Sequence, residues 1–284
     1  MMKEMADPTF SDKLTSRFAA QKFLCVGLDP EYAKIPASLV EACKTREDAL
    51  YEFGREMMDA TADIVTAWKP NSAFYEAEGA DGIRALKRVM DYAHETHPEI
   101  ALILDAKRGD IGSTNEGYAR FAFDYLGADA LTVHPYLGRE ALEPLFARPD
   151  KGVFVLVRTS NPGGGEFQDL DADGMPLYQR VAESIAREWK GKGTCGVVAG
   201  ATYPEELARV RSIVGDMTIL VPGVGAQGGD IKQAVRAAKN ADGKGFIIST
   251  SRVVLYASAG PDFADAARKT AQGLDGEIQA ALTA

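Results

Sequence analysis

The sequence predicts an α/β fold of one kind, a closed (β/α)8 (TIM) barrel with a short N-terminal helix, spanning residues 1–284 as a single domain. Three observations carry this. Eight short apolar runs rich in Val, Ile and Leu alternate with helical patterns along the chain, and strand–helix alternation implies a parallel sheet. No linker or shift of composition separates the units, so eight of them imply closure. The first run ends in Asp29-Pro30 where an open, doubly wound sheet would carry a glycine-rich dinucleotide fingerprint, so that alternative is set aside.

Each element has its own signal. An amphipathic pattern over residues 9–21 predicts the N-terminal helix, and the apolar run 23–29 the first strand, stopped by Pro30. Helical periodicity over 48–61 leads to a second strand at 64–69, stopped by Pro70. A helix over 81–94 precedes the third strand, 100–105, and a helix over 118–126 precedes the fourth, 130–134. A short helix (139–146), a fifth strand (152–158) and a long glycine-rich loop (159–175) follow, then a helix over 176–190 and a sixth strand at 196–199. Pro204 opens the next helix, 218–221 is the seventh strand, Asp230 caps a helix to 239, 245–249 is the eighth strand and 262–282 the closing helix.

Composition narrows the function. With 46% hydrophobic and 26% charged residues the chain reads as an ordinary globular protein. A formal net charge of −9 and the lack of any Lys/Arg block argue against nucleic acid as a partner. Three unpaired cysteines (Cys25, Cys43, Cys195) and three scattered histidines suggest a reducing compartment, without a structural disulfide or metal site. No run approaches the ~20 apolar residues of a membrane span, and the first residues lack the apolar core of a signal peptide. The expectation is a cytoplasmic protein.

The chemistry gathers at strand ends. In residues 101–114 an apolar run turns abruptly into charge: Asp105-Ala-Lys107-Arg-Gly-Asp110-Ile111-Gly-Ser-Thr114. Strand alternation puts Asp105 and Lys107 on one face, and Asp110 adds a second carboxylate. An ammonium between carboxylates is costly to desolvate unless every charge is matched. Asp29 and Lys69 lie at the tips of the first two strands. A lone charged strand end is usually solvated, but successive charged tips in one barrel mouth converge on one cavity. At the other side, Pro222-Gly-Val-Gly-Ala-Gln227-Gly-Gly is rich in exposed N–H groups and Arg252 follows the eighth strand. Loops after strands seven and eight are the usual phosphate site of this fold. His134, at the fourth strand's end, reads as mouth-lining or core.

Five separated pieces resemble the orotidine 5′-phosphate decarboxylase family: Gly27-Leu-Asp29, Trp68-Lys-Pro-Asn71, residues 105–114, residues 222–227 and Arg252. Residues 158–163 and the longer loops are similar to the larger bacterial branch of that family. The resemblance implies loss of CO2 from C6 of orotidine 5′-phosphate to give UMP, the last step of de novo pyrimidine biosynthesis, with no metal or organic cofactor. It casts Lys107 as proton donor to the C6 carbanion and sets Asp105 against the departing carboxylate. Lys69 would contact the ribose and hold Asp105, and Asp29 would bind the ribose hydroxyls. Ser160 would meet the pyrimidine; Gln227 and Arg252, with Pro222 in the same loop, would bind the phosphate end. It also implies a homodimer in which Asp110, Ile111 and Thr114 enter the partner's site. Residues 240–244 depart from the pattern as an extra stretch expected on the far face of the barrel.

Two alternatives compete. A magnesium-dependent sugar-phosphate decarboxylase or aldolase shares D-x-K-x-x-D but needs an acidic ligand where Lys69 stands, and an ammonium there would repel the cation. A non-catalytic phosphosugar-binding barrel would have no use for the charge cluster.

Overall fold

Every predicted strand forms, and the eight close into a barrel in sequence order: β1 (Leu24–Leu28), β2 (Val65–Pro70), β3 (Ala101–Arg108), β4 (Ala130–Val133), β5 (Gly152–Arg158), β6 (Thr194–Ala199), β7 (Ile219–Pro222) and β8 (Phe246–Thr250). The computed structural model describes residues 8–189, 194–225 and 228–283. All neighbours pair in parallel, and β1 closes on β8 through Leu24↔Ile248 to Val26↔Thr250. The runs are continuously apolar because parallel strands wrapped by helices are buried on both faces. No helix among the described residues is long and apolar enough to cross a membrane.

The wrapping helices are α2 (Arg46–Thr61), α3 (Gly79–Thr96), α4 (Gly112–Ala119), α5 (Leu177–Glu188), α6 (Pro204–Val214), α7 (Ile231–Ala238) and α8 (Phe263–Thr283), after an N-terminal α1 (Phe10–Ala19). Side chains at their starts explain several boundaries. Thr9 closes a capping box with Asp12, Thr45 accepts from Asp48 N–H, and Asp230 accepts from Gln233 N–H.

α1 seals the end of the barrel opposite the site. Lys13 Nζ lies 2.8 Å from Asp129 Oδ2, both buried, and Leu102 N–H donates to the same carboxylate at 2.8 Å. Phe10 packs edge-on to Phe154 with ring centroids 5.8 Å apart. On the same end, buried Arg211 donates to the carbonyls of Ala238, Gly215, Met217 and Gly245, tying α6 to the loops before β7 and β8. The extra residues 240–244 form a tight turn there, Asn240 N–H donating to Lys244 O at 2.9 Å. They lie away from the mouth, as expected.

Four details differ from the sequence reading. β3 runs on to Arg108, past the expected end at Asp105. α4 starts at Gly112, six residues before the expected 118, and its continuation Arg120–Tyr125 is a π-turn, with Leu126 N–H reaching back to Phe121 O. The helix after β4 is reduced to two single turns, Gly138–Ala141 and Glu143–Phe146. The loop after β5 contains Pro162–Gly164 and Gly165–Gln168 as short helical turns.

Candidate active site

The strand tips bring Asp29, Lys69, Asp105 and Lys107 to one mouth. Asp105 is the centre of a tight array: its Oδ2 accepts from Lys69 Nζ at 3.0 Å and its Oδ1 from Lys107 Nζ at 2.6 Å. The Lys69 side chain is 6% exposed and that of Lys107 is 49% exposed, so the inner ammonium is sealed and the outer one faces the opening. Burial opposes charge on Asp105, but the two ammonium groups outweigh it and hold the carboxyl well below the usual carboxylate range. Burial likewise works against charge on Lys69; Asp105 and Asp29 outweigh that cost and raise its pKa above that of an ordinary lysine. Asp105 and Lys69 therefore both stay charged at neutral pH.

Asp29 sits just past β1, and its Oδ1 accepts from Asn71 N–H at 3.1 Å. The backbone around it is fixed by Tyr256, whose hydroxyl accepts from Glu31 N–H at 2.7 Å and donates to Asp29 O at 3.2 Å. Gly27 lets this corner close: a Cβ there would stand 1.9 Å from Ser251 Oγ. Cys25, beneath Lys69, is inert as a nucleophile, because burial pushes its thiol up to about 12.

The second carboxylate of the motif stands apart. Among the described residues Asp110 makes no ion pair; its carboxylate accepts from Ile111 N–H at 2.7 Å, and Asn115 fastens the loop by accepting from Asp110 N–H at 3.0 Å. The charge cluster of one chain is therefore Lys69–Asp105–Lys107, with Asp110 outside it. Ile111 is 62% exposed and Thr114 is also exposed, both turned from their own core.

Ser160 follows β5 and is half-buried against Gly200, where a Cβ would lie 2.7 Å from the serine Cβ. Pro222 ends β7, its carbonyl accepting from Ala201 N–H at 2.8 Å. Beyond it Gly223, Gly225 and Gly228 all have positive φ (95°, 75° and 86°), a conformation that suits glycine. Gln227 lies outside the described residues. Arg252 is exposed and opens a single helical turn after β8, on the neighbouring strand to that loop. His134 lines the mouth: its ring lies against Gly109, and its Nδ1 accepts from Tyr136 N–H at 3.3 Å.

The sequence reading passed over two residues. Arg158, at the tip of β5, is buried; it donates to Thr159 O and Gln168 Oε1, pairs with Asp169 Oδ2 at 3.1 Å and lies 4.6 Å from the Tyr203 ring centroid. It clasps the glycine-rich loop. Thr132 on β4 donates from Oγ1 to Asp105 Oδ1 at 2.8 Å and accepts from Lys107 N–H at 3.0 Å. A charged residue ending an apolar run and a threonine inside one were the available signals.

Known proteins resemble this chain over most of its length. A model of the "Orotidine 5'-phosphate decarboxylase / HUMPS family" matches residues 22–270. The orotidine 5′-phosphate decarboxylase of Janthinobacterium sp. (strain Marseille) is 51% identical over 264 residues, covering 93% of this chain and 95% of that protein. That of Azoarcus sp. (strain BH72) is 52% identical over 248 residues, 87% of this chain and 90% of its own length. The Leishmania donovani OMP decarboxylase structure superposes with a TM-score of 0.84 at 38% identity, over 97% of this chain and 99% of that one. About half the residues are thus shared, over nearly the full length, with proteins of one name, and the chain belongs to the orotidine 5′-phosphate decarboxylase family.

Proposed function

We propose that this chain converts orotidine 5′-phosphate to UMP and CO2, with Lys107 as the proton donor and Lys69–Asp105–Lys107 as the electrostatic frame of the reaction. The observation that carries the reading is the position of Asp105, held between two ammonium groups of which only Lys107 opens to the mouth. As the C6–carboxylate bond breaks, its electron pair stays on C6. An ammonium fixed in a pocket of low dielectric stabilises that charge without reorganising. The proton of Lys107 Nζ then moves to C6, giving UMP and leaving a neutral amine that solvent reprotonates.

Asp105 places negative charge beside the substrate carboxylate and fixes Lys107. Lys69 neutralises Asp105 from below and reaches toward the ribose, with Asp29 as partner for the ribose hydroxyls. Ser160 takes the pyrimidine edge. The glycine loop with Pro222 and Gln227, and the guanidinium of Arg252, take the phosphate. Binding energy gathered at the phosphate end can be used to order the loops around the reacting carbon.

The reading also includes a homodimer with shared sites. Asp110, without an ion pair among the described residues, and exposed Ile111 and Thr114 support a role for the three in the partner's site. Tyr136 at 91% exposure and Leu137 at 42% extend the apolar surface of the barrel rim.

The test is ultraviolet loss of orotidine 5′-phosphate in excess EDTA, with Lys107→Ala beside the wild-type protein. Rapid wild-type turnover and almost none in the variant are expected. Turnover only after magnesium is restored would sink the metal-free reading, and tight UMP binding without turnover would make the chain a binding protein.

A further inference from the structure

β3 and β4 are out of step at the site. Their register runs Ile103↔Ala130 and Leu104↔Leu131, then resumes at Arg108↔Val133. Between these points β3 carries Asp105, Ala106 and Lys107, while β4 carries Thr132 alone. Such a bulge re-aims side chains but interrupts the ladder of backbone hydrogen bonds. Lys107 bears the cost in its backbone: its φ is +46°, left-handed for a residue with a Cβ. Strand alternation alone therefore does not put Asp105 and Lys107 together; the bulge does.

Thr132 is 1% exposed and spans the gap. Its hydroxyl accepts from the Lys107 N–H at 3.0 Å, supplying the acceptor that the interrupted ladder withholds, and donates to Asp105 Oδ1 at 2.8 Å. One oxygen thus holds the backbone of one charged residue and the side chain of the other. Asp105 Oδ1 receives both this hydroxyl and Lys107 Nζ, so the hydroxyl also fixes the point at which the ammonium docks.

We infer that Thr132 is a positioning residue of the decarboxylation site, setting Asp105 and Lys107 in register through its hydroxyl. This rests on the function proposed above, which wild-type turnover tests separately. Thr132→Val keeps the shape and removes the hydroxyl. Thr132→Ala removes hydroxyl and methyl, at less risk of crowding. Thr132→Ser keeps only the hydroxyl.

The expected result is a fall in kcat of about 10- to 100-fold for Thr132→Val and Thr132→Ala. Thr132→Ser should stay near wild type, and UMP affinity should change little in all three. Amide hydrogen exchange at Lys107, which needs no substrate, should accelerate in the Val and Ala variants and be restored in Ser. Equal kcat in Ser and Ala, or loss of UMP affinity in step with kcat, would overturn the assignment. If wild type itself turned over nothing, the function would fall, while unchanged exchange at Lys107 in the Ala variant would overturn the hydroxyl's role by itself.

Discussion

Lys69 and Asp105 show how a charge is kept inside a barrel. Asp105 has its pKa lowered by the ammonium groups, so the stability it contributes is present above the unfolded carboxyl value of about 4 and is lost as pH falls through its lower folded value. Lys69 has its pKa raised, so its contribution is present below the unfolded value of about 10.4 and is lost as pH rises through the folded one. The pair therefore stabilises the fold across the whole range between. Lys69→Met leaves the carboxylate with Lys107 as its one ammonium partner beside the Thr132 hydroxyl, and at pH 7 this should destabilise by about 3 kcal/mol, the lower end for breaking a buried pair. The loss should shrink toward pH 3, where Asp105 takes up a proton in the unfolded chain and in the variant while the folded wild type still holds it charged. Urea unfolding at both pH values checks it; an equal loss at both would mean that Lys69 stabilises by packing alone.

At the scale of elements, the sequence was most legible where burial is continuous. Runs such as Leu24–Leu28 and Ala101–Leu104 are apolar on both faces, and proline or charge marks their ends, so all eight strands could be placed. Helix α4 was less legible because Gly112-Ser-Thr-Asn is polar and a poor helix former; Asn115, buried, holds that turn by donating to Ala141 O at 2.6 Å, a contact between distant residues. The strand-tip charges of the site were readable one at a time, as Asp29, Lys69 and Asp105 were. What could not be read was pairing across strands: the bulge of β3 against β4, the clasp from Arg158 to Asp169, and the separation of Asp110 from the ion pairs. Each depends on register, which local pattern does not specify.

Arg211 is another cross-element device of this kind. Its burial lowers its pKa to about 10, yet its guanidinium binds four carbonyls of the segments before β7 and β8. Arg211→Met takes a donor from each of those carbonyls, Gly245 O keeping only that of Ile219 N–H at 2.9 Å, and should cost about 3 kcal/mol or more. The site lies at the opposite end, so kcat at 25 °C should hold while the thermal midpoint falls. A matching drop in kcat would show that the two ends of the barrel are coupled.

On the scale of the molecule, the shared sites proposed above make a prediction that no single chain can meet. If the chain pairs as proposed, the Lys107→Ala and Asp110→Ala variants should each be nearly inactive alone. If Asp110 serves the partner, subunit exchange between them yields heterodimers with one site intact and one doubly defective. Mixing should therefore restore activity, to about a quarter of wild type if the subunits exchange at random: half the dimers would be mixed, each with one good site. No recovery, with exchange verified by native mass spectrometry, would place Asp110 in its own chain's site.

The seam between β1 and β8 sets when the protein becomes competent. Asp29 comes from the first strand, yet its backbone is held by Tyr256, beyond the last, and Ser251 closes over Gly27. A nascent chain can form its early helices and much of its sheet while this corner is still missing, because its two halves lie almost a full sequence apart. With the site proposed above, catalytic competence is then a late event in biosynthesis, reached only when the last strand docks on the first.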